Sequence, residues 1–287
     1  MLSAPSDLST DDIRAALALG WGITAGTVDY RAVGFGSHHW AVDGTRWFVT
    51  ADRVSGALEP ALRAAVELRG AGLEFVVAPV VTNGGRATQP AGGNYLLSVY
   101  PHVEGASGDF GPHEPDRRPE IVAMLARLHA TPAPPTLEPL DLDVPRLDEL
   151  QKARHTAGDG PYGRRATELL SAKSGLIDDL LGEYEELKAT LPPPDEWVVT
   201  HGEPHPGNIM HTPGGLRLVD WDTARLAPAG RDLWFVDDSP AYIFFRRRWR
   251  LADIASFAGD LNMPHRDTED TSAIFGYLRE CLAYEDT

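Results

Sequence analysis

The chain has 287 residues, 43% of them apolar, which is enough to build a sizeable core as one large or two medium domains. Its formal charge of −16 argues against a nucleic-acid partner, because a phosphate backbone demands a basic face. The single cysteine, Cys281, excludes an internal disulfide and any CxxC metal or redox site, and suits a reducing compartment. The first residues carry neither the basic nor the apolar region of a secretory signal. Apolar runs such as 75–81 fall far short of the ~20 residues that a membrane span needs, so a soluble, cytoplasmic protein is expected. Residues 1–105 carry ten acids and seven bases, whereas the remainder has a net charge of −13. That asymmetry serves solubility alone, or it draws a cationic small molecule to the second half.

Ser9-Thr10-Asp11-Asp12 before Ile13, Ala16 and Leu17 predicts an N-capped amphipathic helix. From Arg31 to Val42, apolar stretches flank a loop holding Gly34, Gly36 and Ser37. Asp43-Gly44 is a hairpin signal, and Arg46 to Thr50 reads as the following strand. Strand, glycine loop, strand, turn, strand is one way to cover nucleotide phosphates with backbone N–H groups; the glycines could equally serve a bulge. Residues 59–69 predict a helix ended by Gly70 or Gly72, 75–78 a buried strand stopped by Pro79, and 82–93 a loop. Tyr95 to Tyr100 is another strand.

A polar loop spans 106–118 and a helix 119–129, ending at His129, read as a structural hydrogen-bonder. A proline-rich connector covers 131–145, and helices follow near 162–172 and 174–190. Helical spacing returns over 233–258 and 270–284, where Arg246-Arg247-Arg248 reads as a solvated face or a partner for acids.

The densest chemistry lies between Trp197 and Trp234. Two short apolar strands, 197–199 and 216–219, are separated by the breaker cluster Thr212-Pro213-Gly214-Gly215. On adjacent strand ends their loops would gather Glu203, Asn208, Asp220 and Asp222, hard oxygen ligands that suit Mg²⁺. Asp, Asn and Gly at strand ends also serve ordinary turns. A metal site of His201-x-Glu203-x-His205 is disfavoured, since Pro204 and Pro206 forbid the helix that would put both histidines on one face.

His201-Gly-Glu203-Pro-His-Pro-Gly-Asn208, then Val219-Asp220-Trp221-Asp222, then Arg231-Asp232-Leu233 resembles the aminoglycoside phosphotransferase and choline kinase-like family. The resemblance implies an α+β, two-lobed protein-kinase-like fold. Residues 1–100 would form a small antiparallel-sheet lobe for the nucleotide, and 101–287 a mostly helical lobe with the catalytic loops and acceptor pocket. It implies ATP or GTP as phosphoryl donor, with Mg²⁺ held by Asn208 and Asp220. Asp222 would be a secondary acid, while His201 and Asp232 brace the loop. The strand 95–100 would be the hinge, with Val99 and Tyr100 meeting a purine edge. The acceptor would be a cationic antibiotic, an aminoglycoside or a basic peptide, and the protein a monomer or weak dimer.

Two positions depart from that family. Its catalytic aspartate falls on Glu203, one methylene longer, where ~1 Å matters because positioning supplies much of the catalysis. Its phosphate-holding lysine falls on Thr50, and the first lysine of the chain is Lys152. Arg53, or failing that Arg46, is the nearest replacement, and a planar fork is not equivalent to a point charge. Either the acceptor sits further away, or the chain is a weak or silent kinase fold that sequesters its ligand. A metabolic kinase for an amino alcohol or sugar is the other enzyme reading.

Overall fold

The computed structural model describes residues 1–34, 36–237, 239 and 242–283. In chain order the elements are α1 (Thr10–Trp21), β1 (Val28–Arg31), β2 (His38–Val42), β3 (Trp47–Arg53), α2 (Leu58–Gly70), β4 (Gln89–Ala91), β5 (Tyr95–Pro101), β6 (Ala106–Ser107) and α3 (Arg118–His129). There follow α4 (Leu147–Ala153), α5 (Gly163–Ala172), α6 (Ser174–Lys188), β7 (Val198–Thr200), β8 (Ile209–Thr212), β9 (Gly215–Leu218), β10 (Arg225–Ala227), α7 (Gly230–Leu233), α8 (Ile243–Asn262) and α9 (Glu269–Ala283). They fall into two compact units, Met1–Leu140 with Pro192–Asp238 and Asp141–Leu191 with Ser239–Thr287. The lobe boundary expected near residue 100 lies inside the first.

In the first unit a five-stranded antiparallel sheet runs β1-β2-β3-β5-β4. Strand alternation divides its faces. Val42, Val49, Ala51, Leu97 and Val99 pack on Ile13 and Leu17 of α1, a helix started by a reciprocal Ser9–Asp12 capping box. Thr50 and Asp52 alternate to the opposite face. The β2–β3 turn uses positive φ at Asp43 (52°) and Gly44 (72°), as the Asp-Gly pair predicts. A second core gathers apolar residues of α2 and α3 with Val199, Ile209 and Leu218 around Trp221. Trp221 is fully buried and donates Nε1–H to Leu218 O at 2.8 Å, so truncation to alanine would cost about 3–5 kcal/mol.

Several local expectations change. The strands read at 197–199 and 216–219 are not neighbours: β7 pairs with β10, and β9 pairs with β8. Residues 75–78 form no strand: Phe75 ends a turn, and Val76 makes a single parallel bridge to Leu218 before Pro79 cuts the segment. β4 occupies part of the expected 82–93 loop, and α4 follows the proline-rich connector unannounced.

The second unit is helical in the described residues, with α4, α5, α6 and α9 packed on α8. Tyr184 stacks on Phe244 at 5.0 Å, and Arg247 of the basic island donates Nε–H to Glu183 at 2.7 Å. Arg146 ties Glu149 to Asp260. Among the described residues no helix is long and apolar enough to cross a membrane.

Candidate active site

The catalytic-type loop leaves β7 at His201, whose backbone and ring are both committed. Its N–H and that of Gly202 donate to the two Asp232 oxygens at 3.0 and 2.6 Å. His129 Nε2 adds a third bond to Asp232 at 2.9 Å. Burial alone would raise this fully buried carboxyl, but the bond from His129 and the nearby imidazoles and Arg231 hold it below the ordinary aspartate range. Glu203 N–H donates to His201 Nδ1, so Nε2 carries the proton and donates to Val219 O at 2.8 Å. Burial pushes this imidazole down to about 4, consistent with that neutral form.

Those bonds replace the strand pairing that the sequence suggested as the link between the two loops. Val219 N–H completes the link by donating to Asn208 O at 3.0 Å. Gly202 has φ 106°, and a Cβ there would run into the guanidinium of Arg231. Arg231 is itself fixed by Thr200 Oγ1 and Thr223 O, each at 2.8 Å. From below, His113 donates Nε2–H to Pro204 O at 2.7 Å.

Asn208, buried beside the loop, donates its Nδ2 to Glu203 O at 3.0 Å, which leaves the amide oxygen as its unused acceptor. Among the described residues none donates a hydrogen bond to the Glu203 carboxylate. Asp220 adopts left-handed backbone (φ 67°, ψ 64°), a conformation aspartate tolerates better than most residues and one that concentrates at functional sites.

Glu203, Asp220 and Asp222 line a cleft of about 370 Å³ with Gly36, Ser37 and Asp52. The start of α2 (Ser55, Ala57, Leu58), Thr223 and Arg225 complete it, and Arg53 touches its rim. Burial, followed by the Asp222 charge, pushes Glu203 up to about 7, with Arg231 opposing. Asp52 is pushed up to about 7 by burial and Asp222, although Ser37 Oγ donates to it. Asp220 is open to the cleft yet ringed by protein, and desolvation with the charges of Asp222, Glu203 and Asp52 raises it well above the ordinary range. Asp222 is raised by burial, with backbone N–H groups and Arg225 opposing.

The four acids raise one another's affinity for protons, and a hard divalent cation would relieve that repulsion. Among the described residues no three His, Cys, Asp or Glu side chains are gathered to hold a metal alone. An ion on Asn208 and Asp220 would therefore draw further oxygens from a bound phosphate or water.

The structure brings together Glu203, Asp220, Asp222, Gly36 and Ser37 on the cleft wall. Asn208 is not part of that wall but is tied to it through Glu203 O and Val219 N–H, and His201 and Asp232 brace the loop. Gly34, at φ 67°, belongs to the loop of Gly36 and Ser37 but not to the cleft wall. Tyr100 pairs with Phe48 across β5–β3, and its phenol, raised by burial, feels the charges of Asp52, Asp220 and Asp222. Two of the expected nucleotide contacts have other partners in the fold. Arg53 alternates to the α1 side of β3, where it pairs with Asp7 at 2.8 Å and lies 4.3 Å from the Tyr95 ring centre. Val99 is fully buried against α1, and its carbonyl already accepts from Val80 N–H at 2.7 Å. The glutamates of α2 are also engaged: Glu59 accepts from Ala87 N–H at 2.8 Å and Glu67 from Thr136 at 3.2 Å.

Sequence reasoning missed Asp52, Arg225 and the buried cation Arg231. Asp52 was within reach, since it shares a strand face with Thr50. Arg231 lies in the Arg231-Asp232-Leu233 run but has no expected role there, and nothing local singles out Arg225.

Comparison with known proteins places these features. The phosphotransferase enzyme family matches residues 31–269. Protein StrN of Streptomyces griseus is 26% identical over 83% of this chain and 81% of its own length. Stress response kinase A of Salmonella choleraesuis is 31% identical, over 56% of this chain and 46% of that protein. Among solved structures, spectinomycin phosphotransferase APH(9)-Ia in complex with ADP and spectinomycin superposes with a TM-score of 0.73 at 18% identity, covering 95% of this chain and 94% of that one. Macrolide 2'-phosphotransferase type I gives 0.54 at 18%, covering 97% and 98%. At such identities the likeness establishes the fold, which is α+β and protein-kinase-like.

Proposed function

The chain belongs to the phosphotransferase enzyme family, and on that premise we propose that it moves the γ-phosphoryl group of ATP or GTP to a hydroxyl of a small cationic antibiotic, an aminoglycoside or a basic peptide. The observation that carries this reading is Glu203: a carboxylate with no hydrogen bond from the described residues, on a loop pinned through Asp232, lining the cleft with Asp220 and Asp222.

In this reading Glu203 orients the acceptor hydroxyl and takes its proton, a role served by an affinity for protons near neutrality. Mg²⁺, held by Asn208 and Asp220, supplies charge neutralisation at the phosphoryl oxygens. Asp222 steadies the site, and the backbone at Gly36 and Ser37 meets the phosphates. Residues 1–100 serve the nucleotide and 101–287 the acceptor, within a cytoplasmic monomer or weak dimer. The acid-rich cleft favours a cationic acceptor over a neutral one.

A second reading is a ligand-sequestering protein, favoured by Glu203 in place of aspartate and by Asp52 on the strand where a lysine is expected. Transfer of radiolabelled γ-phosphate, screened over aminoglycosides, basic peptide antibiotics, amino alcohols and sugars, separates the two. Labelled product from a cationic antibiotic is expected. Tight antibiotic binding with no labelled product would instead establish sequestration, and product from an amino alcohol or sugar alone would move the acceptor class.

A further inference from the structure

A site for a nucleoside triphosphate needs a protein cation, and the expected position offers Thr50. Two arginines border the cleft, Arg53 and Arg225. The Arg53 guanidinium is committed to Asp7 and Tyr95 on the far face of β3. Arg225 is not committed in this way. Its Nη1 donates to Ala224 O at 2.5 Å, and its remaining N–H groups have no acceptor among the described residues. Glu138 and Asp222 attract it only from beyond ion-pair distance. It is half-buried, and none of its N–H groups is a buried orphan, so they stand open to solvent and to an anion entering the cleft.

The side chain is also well anchored. β10 pairs with β7, Arg225 lies opposite Thr200, and Thr200 Oγ1 donates to Arg225 O at 2.9 Å. The same space is bordered by Gly36 and Ser37, and by the first turn of α2, whose N-cap Ala57 offers no side-chain acceptor. A planar fork of donors on a fixed strand matches phosphoryl oxygens in shape and charge. We propose that Arg225 is the cationic contact for the terminal phosphoryl groups of the nucleotide, reaching them from the Asp222 side of the cleft in place of a lysine on β3. The assignment rests on the phosphotransferase reading and adds a phosphate-binding residue to it.

Calorimetry on the full chain, with Mg²⁺ and the series AMP, ADP and a non-hydrolysable ATP analogue, tests it. The guanine series is run in parallel. Arg225→Gln should weaken the triphosphate analogue roughly 10- to 100-fold and AMP by less than about 3-fold, since a hydrogen bond between charged groups is lost only where the terminal phosphates are present. Arg225→Lys keeps the charge without the fork, so its deficit should be smaller and still grow with phosphate number. That slope serves as the test if the glutamine variant unfolds. A deficit equal across the series, or a phosphate-dependent loss in Arg53→Gln instead, would overturn the assignment while leaving the family reading intact. Wild-type chain that binds neither nucleotide series would sink both.

Discussion

Asp52→Asn is the most direct probe of the electrostatic reasoning. The asparagine keeps an oxygen for the Ser37 hydroxyl and removes one charge from the cleft. In the fold Asp52 is pushed from 3.8 up to about 7 by burial and by Asp222. The folded state therefore holds this proton more tightly than the unfolded chain does. Below the unfolded value both states are protonated and the site costs nothing. As pH rises from about 4 through about 7 the unfolded chain ionises first, and stability is lost.

Three units at 1.36 kcal/mol each put an upper bound of roughly 4 kcal/mol on the loss, and access of water to the cleft brings the expected value to about 2 kcal/mol. Thermal unfolding of both proteins from about pH 5.5 to 8.5 reads this directly, with Asp52→Asn melting roughly 4 °C higher at the alkaline end and the gap shrinking toward the acid end. Parallel curves, or a wild type that is the more stable at pH 8.5, would refute the burial argument. Neutralising the site should also tighten nucleotide binding, since Asp52 repels the phosphates.

The remaining predictions concern the loop after β7. Glu203→Gln should lower kcat roughly 10²- to 10⁴-fold with far less effect on acceptor binding, and wild-type kcat/KM should rise with pH through about 7 as the carboxyl loses its proton. A rate that is flat across that window would separate Glu203 from the proton transfer. Glu203→Asp should also slow the reaction, because a pocket fitted to the longer side chain leaves aspartate short; faster transfer would mark Glu203 as a decayed position. Gly202→Ala places a Cβ against the Arg231 guanidinium at φ 106°, and should cost about 2–4 kcal/mol of stability in urea melts. A midpoint unchanged from wild type would mean that this packing yields freely.

Sequence alone determined the fold class and the loop residues, because their signals are contiguous. His201 to Asn208, Asp220 to Asp222 and Asp232 sit in short runs whose turns are dictated by neighbouring glycine and proline. The Ser9–Asp12 box, the Asp43-Gly44 turn and the period-2 strands β3 and β5 were legible for the same reason. Tertiary structure decided which strands pair and where single side chains face. Val198–Thr200 could not announce a partner 25 residues on, since a three-residue strand carries too little pattern to select a register. A strand side chain faces whichever side its register assigns. Arg53 thus pairs with Asp7 and reaches only the rim of the cleft, while Asp52, one residue earlier, bonds Ser37 inside it. Arg225 and Arg231 take their places only because the chain folds back to set one on the cleft with Asp222 and the other behind Gly202; the run Arg231-Asp232-Leu233 marks a motif, but not which glycine its arginine packs against.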